Sequence, residues 1–244
     1  MNDIKIMQYE VKRMMMSKKY FYMLLAMGAW TYDILTRLVS EGMGVLAPFS
    51  KINYANFLIL VNPILICILI LLGVGIFSKK EQTVRSIVFS APISQTKYSI
   101  LKAAAIFIVT LFTALVPVLL SFIYYAYSFN YFNYSEFMMP IVLFTLPAVI
   151  FIWGLVMLLG KISQKLLYVL LPVTFFSGLF NIATSVYLDL CGNNLFVLYW
   201  AESMAGESGF DLILPPEFIY SRIVFMALGI VLLGIGCKMR FRSV

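Results

Sequence analysis

Asp33 and Arg37 are the first pair in the chain with the types and spacing for chemistry. They stand four residues apart inside the apolar run Tyr20–Val39. An acid four residues ahead of a base lies on one helix face and favours an ion pair. At membrane depth such charges must face protein, water or a partner. The pair therefore reads as a structural bridge near an interface, ahead of a substrate contact in a transport pathway. Proteolysis by an intramembrane aspartyl pair needs a second aspartate inside a span, and only Asp33 lies within one away from its end. The chain has no histidine, which removes histidine zinc sites, histidine-dependent triads and histidine proton relays. The nearest string to a phosphate-binding loop, Gly154–Ile162, is one residue too long and has Ile162 where a hydroxyl is needed. No catalytic, cofactor-binding or metal-ligating set is expected, and neither is ATP hydrolysis by this chain alone.

A second constellation lies in the basic segment Ser78–Lys102, between two long apolar runs. Val84, Ile87 and Val88 fall at i, i+3 and i+4, with Phe89 alongside and Lys80, Gln82 and Arg85 opposed. That pattern predicts a short amphipathic helix over Glu81–Ser90. Ala91-Pro92 ends it, and Ser94 caps a new helix that runs through Lys97, Tyr98 and Lys102. A short apolar-faced helix outside the bilayer inserts into a groove on a soluble protein, or it lies flat on lipid, held by its basic residues. Periodicity favours neither.

The elements that must position these residues follow from composition. Hydrophobic residues make up 62% of the 244 and charged residues 12%, with a mean hydropathy of +0.96. Soluble domains carry about 45–50% apolar and about 25% charged residues. Lipid is the solvent that such a chain requires. A helix needs about 20 residues to cross the hydrocarbon layer. Six runs qualify: Tyr20–Val39, Tyr54–Phe77, Ala103–Ala126, Met138–Gly160, Leu166–Leu188 and Glu217–Cys237. Pro147 and Pro172 are tolerated where neighbours satisfy the freed backbone groups. The expected fold is an all-α integral membrane protein, one transmembrane domain over residues 1–244, with no alternating barrel pattern.

Six spans put both termini on one side. That side then holds all but Arg37, Lys51 and Arg222 of the 18 lysines and arginines. The positive-inside rule makes it the cytoplasm. The +7 net charge is accounted for by topology and by anionic lipid heads, so no nucleic-acid partner is expected. Met1–Lys19 reads as an amphipathic interfacial helix with Ile4, Met7, Val11 and Met14 as its stripe. The outward loop Asp189–Pro216 contains Leu195–Trp200, too short to span and too apolar for water, which predicts a semi-buried segment. Cys67, Cys191 and Cys237 are assigned to different depths, so no disulfide is expected.

The string Lys80-Glu81-Gln82-Thr83-Val84-Arg85-Ser86-Ile87, then Ser90-Ala91-Pro92-Ile93-Ser94, then Lys97-Tyr98 and Lys102, resembles the first cytoplasmic loop of type-2 ABC exporter permeases. Tyr9-Glu10-Val11-Lys12-Arg13 followed by Ser17-Lys18-Lys19 is similar to that family's connecting helix. The chain departs from the family pattern in the segment after Thr83 and at Leu101, where a glycine is usual. The resemblance implies a permease subunit of an ATP-driven exporter. Glu81, Thr83, Val84, Ile87, Val88 and Phe89 would then couple it to cytoplasmic ABC ATPase subunits that hold ATP and Mg. A second permease, the same chain or a homologous one, would complete the pathway in the plasma membrane, with lipid around it. Permeases of this kind serve peptide-antibiotic immunity, drug export or lipid export. The competing classes are an ion-coupled carrier, which needs several buried ionisable groups and often inverted repeats, and a lipid-modifying membrane enzyme, which needs clustered acids or a metal.

Overall fold

Ser17, Ser50, Ser94 and Ser163 mark where four helices begin. Each has extended backbone, and its hydroxyl accepts a backbone N–H from the first turn, donated by Tyr20, Asn53, Lys97 and Lys165 respectively. Such serine caps satisfy donors that a helix start leaves without partners. The computed structural model describes residues 3–39, 50–78, 81, 83, 94–180, 188–195, 197, 212 and 214–239. Every regular element among them is helical.

In chain order the helices are α1 (Asp3–Met15), α2 (Lys18–Ile34), α3 (Lys51–Ile76), α4 (Gln95–Phe129), α5 (Tyr134–Ile162), α6 (Gln164–Leu179) and α7 (Pro216–Lys238). A π-turn, Leu35–Val39, extends α2. The rod α5 opens with a 3-10 turn at Tyr134–Phe137 and carries a π-turn at Ile141–Thr145. The amphipathic segment expected over Met1–Lys19 is a helix only to Met15. Ser17 breaks it, and α2 then starts at Lys18 rather than Tyr20.

Among the described residues, four helices are long and apolar enough to cross a membrane: α3, α4, α5 and α7. They coincide with the second, third, fourth and sixth expected spans. The first falls on α2 and its π-turn. The fifth falls on the 16-residue α6, and its remainder lies largely outside the described residues.

Helix α3 is the hub. It is apolar all round and buried along most of its length, as such a helix must be. It contacts α2, α4, α5 and α6, while α5 pairs most extensively with α7. Gly154 and Gly229 bring α5 and α7 together: a Cβ on Gly154 would collide with the carbonyl oxygen of Gly229, and one on Gly229 would stand 2.5 Å from the carbonyl oxygen of Ile150. Single hydrogen bonds stitch other pairs. Tyr20 Oη pairs with Thr113 Oγ1 at 3.0 Å, Trp30 Nε1 donates to Leu60 O at 3.0 Å, and Trp153 Nε1 donates to Ala103 O at 3.0 Å. Asn62 Nδ2 donates at 3.0 Å to Phe144 O in the π-turn, a region where regular helical pairing is interrupted.

At the carboxyl end of α4, aromatic rings seal the bundle. Tyr54 stacks on Phe137 with centroids 4.1 Å apart, and Phe122 stacks on Tyr134 at 4.3 Å. The outward faces are apolar: Leu115, Leu119 and Ile123 on α4, Val169 and Val173 on α6, and Val224 and Val231 on α7 are all exposed. Contiguous apolar surface of that kind marks a face meant for lipid or another protein.

Candidate functional site

The charges that composition makes scarce are gathered at the end of the bundle where α1 ends and α4 begins. Helix α1 lies against α4 and offers Glu10 and Arg13 from one face, spaced i, i+3. Lys102 comes from the third turn of α4, and Glu81 follows α3. Lys102 Nζ stands 2.7 Å from Glu10 Oε2 and 3.0 Å from Glu81 Oε1. Arg13 Nη2 stands 2.8 Å from Glu10 Oε2 and also bonds Glu81. Two acids and two bases thus alternate in a closed square. Glu10, Glu81 and Lys102 are buried, while Arg13 reaches the surface. Lys102 also lies 5.3 Å from the Tyr98 ring centroid.

Burial alone would raise the Glu81 carboxyl. The Arg13 hydrogen bond and the Lys102 charge outweigh it and hold the group below the ordinary carboxylate range. Burial likewise works against the Arg13 cation, but Glu81 and Glu10 more than compensate, so its pKa is raised. Neighbouring charges beat desolvation here because opposite charges stand within hydrogen-bond reach.

A second layer abuts the first. Lys161, buried at the end of α5, donates to Ser99 Oγ at 2.7 Å, Met239 O at 2.7 Å and Cys237 O at 3.3 Å. A lysine at these last α7 carbonyls satisfies orphan acceptors and complements the helix dipole. Through these side chains α1, α4, α5, α7 and the segment after α3 are tied into one polar plate. Such a plate can transmit displacement of the Glu81 segment into several helices.

Of the residues expected to couple to a partner, Glu81 lies in the square and Thr83 is exposed. Val84, Ile87, Val88 and Phe89 lie outside the described residues. Asp33 and Arg37 form an i,i+4 ion pair, Arg37 Nε to Asp33 Oδ1 at 2.7 Å, with the Arg37 side chain largely exposed and that of Asp33 about half exposed. The pair sits at the opposite end of α2 from the square. Sequence reasoning did not assemble Glu10, Arg13, Lys102, Ser99 and Lys161 into a site. The available signal was the rarity of acids on the basic side, where Glu10 and Glu81 stand among many lysines.

A further cluster holds the segment after α6. Asp189, buried, accepts N–H groups from Gly192 at 2.7 Å and Asn194 at 2.6 Å. Gly192 has φ +104°, a conformation open to glycine. Arg222, fully buried in α7, donates to Leu190 O and stacks on Phe218, 4.1 Å from its centroid. The described start of the Asp189–Pro216 loop is therefore packed into protein. Cys191, placed in that outer loop by sequence, is buried. The remainder of the loop lies largely outside the described residues.

The class these observations define is a helical protein with, among the described residues, four helices long and apolar enough to cross a membrane. Compared with known proteins, the chain matches no family, no curated protein and no solved structure. Among the described residues no group of three His, Cys, Asp or Glu side chains could hold a metal ion.

Proposed function

We propose that the chain is the membrane-spanning permease subunit of an ATP-driven exporter, with six spans and both termini cytoplasmic in the plasma membrane. Two permeases, identical or homologous, enclose the substrate pathway, and cytoplasmic ABC ATPase subunits bind ATP and Mg and drive it. The exported cargo is an antimicrobial peptide, a drug or a lipid. The observation that carries this reading is the ion square. Its members come from the segments that resemble the family's connecting helix (Glu10, Arg13) and first cytoplasmic loop (Glu81, Lys102), and those distant segments meet in space. A loop docked on an ATPase needs a stiff link to the spans, because closure of the ATPases works only by moving a rigid element. Glu81 supplies it by binding α1 and α4 at the foot of the loop.

The test is recovery of the complex from detergent, followed by ATP hydrolysis in liposomes. The wild-type chain should carry a soluble ATPase with it and hydrolyse nothing when stripped of that partner. Val84→Asp and Ile87→Asp should abolish coupling while the protein still inserts, because an unpaired carboxylate in the partner's groove costs several kcal/mol. Normal recovery and coupling in both variants would assign the Ser78–Lys102 segment to the lipid surface instead.

A further inference from the structure

Two apolar grooves meet along α4. One, of about 610 Å³, runs between α3, α4 and the π-turn of α5, walled by Val61, Leu65, Leu111, Leu115 and Val142. The other, of about 490 Å³, lies between α1 and α4 and is lined by Met7, Val11, Met15 and Lys12. Ile108 and Phe112 line both, so the two grooves adjoin along α4 and together make a trough. Its apolar length from Ile108 to Phe122 is about 21 Å at 1.5 Å per residue, longer than the roughly 15 Å of hydrocarbon in one leaflet. An apolar groove of that length matches an extended acyl chain.

The walls offer an occupant almost no polar partner. Asn62 lines the trough, but its amide is committed to Phe144 O. The charge lies at the α1 end, where Lys12 is exposed at the lip. An apolar slot that ends at a cation fits an amphiphile with an anionic head.

We propose that this trough is a binding site for one anionic phospholipid, with an acyl chain laid along α4 and the phosphate held by Lys12. Such a lipid would wedge α1 against α4 beside the ion square and make the seating of α1 depend on membrane composition. The assignment rests on the membrane-spanning reading and is independent of the exporter's cargo.

The experiment is native mass spectrometry of the full chain released from nanodiscs of phosphatidylglycerol mixed equally with phosphatidylcholine. Wild-type protein should retain one phosphatidylglycerol per chain in preference to phosphatidylcholine. Lys12→Ala should lower that preference about fivefold, the ratio given by one basic side chain at a lipid surface, and Lys12→Arg should preserve it. Ala114→Trp, which fills the trough, should remove retained lipid of both kinds. Equal retention of the two lipids by wild type, or a preference untouched by Lys12→Ala, overturns the headgroup assignment. Retention unchanged in Ala114→Trp overturns the chain assignment. So does a dimer that Ala114→Trp converts to monomer without change in bound lipid, since the face would then belong to a second copy. Recovery of the chain in the soluble fraction would instead break the membrane reading itself.

Discussion

The ammonium of Lys102 lies 3.0 Å from a carboxylate oxygen of Glu81, and both side chains are almost wholly excluded from solvent. Because Glu10 shares the same ammonium, removing it strands two buried acids beside the single cation of Arg13. Breaking a buried pair from one side costs about 3–5 kcal/mol, most of it the desolvated charge left behind. Lys102→Met should therefore lower the unfolding temperature of the detergent-solubilised protein sharply. Glu81→Gln placed on top of Lys102→Met should restore part of the loss. A double-mutant cycle that comes out additive would show that the two side chains are energetically independent.

Acid should dissolve the same square. Glu81 has a carboxyl held below its ordinary value of 4.5 by Arg13 and Lys102, against the opposing effect of burial. A group depressed on folding stabilises the native state above its unfolded pKa, and that contribution is lost as pH falls through the folded value. The stability gap between wild type and Glu81→Gln should be widest near neutrality and should close as the pH drops below about 4.5. Unfolding measured from roughly pH 7 to 3 checks it, and a gap of constant size would mean that Glu81 titrates alike in the folded and the unfolded protein.

The helical class and the four long apolar helices were legible from composition and run length. So was the start of α4, because Ser94 ahead of a helical pattern is a local signal. The ion square was not legible. Its members lie far apart in the chain: Arg13 and Glu81 are 68 residues apart, and Glu81 and Lys102 are 21 residues apart. No periodicity connects them; only the docking of α1 on α4 does. Arg222 is a similar case. By sequence it is one of the three basic residues assigned to the outer side. In the fold it is fully buried, stacked on Phe218 and bonded to Leu190 O. The π-turn in α5 was likewise hidden, since Ile141–Thr145 is as apolar as its neighbours and only the approach of Asn62 to Phe144 O distinguishes it.

Small residues at the α5–α7 crossing should tolerate no growth. A side chain at Gly154 meets backbone of Gly229 rather than a flexible tip, so relief requires the helices to separate. Overpacking of that sort costs about 1–3 kcal/mol, occasionally more. Gly154→Leu should reduce the yield of folded protein and its unfolding temperature. Gly234→Ala, on α7 with open space around it, should be neutral or slightly stabilising, as a helix-interior glycine costs about 1 kcal/mol relative to alanine. Equal effects of the two substitutions would remove the close crossing as the cause.

Accessibility of introduced cysteines should report the membrane side of each helix end. With 35 residues, α4 is about 52 Å long, more than the roughly 40–45 Å of a bilayer with its headgroups. Gln95, at its start, and Ser135, beyond its end, are both exposed, so if α4 crosses, they face opposite compartments. Lys165 is exposed at the start of α6, and α5 must bring the chain back to the side it left. In a background lacking Cys67, Cys191 and Cys237, Gln95→Cys and Lys165→Cys should react with an impermeant maleimide only from the cytoplasmic face. Ser135→Cys should react only from the opposite face. The three substitutions avoid Ser94 and Ser163, whose hydroxyls cap α4 and α6. Reaction of Gln95→Cys and Ser135→Cys from the same side would mean that α4 does not span, and the six-span arrangement would fall with it. Opposite labelling with the sides exchanged would leave the spans intact and invert the orientation, placing the Glu10–Arg13–Glu81–Lys102 square out of reach of any cytoplasmic ATPase.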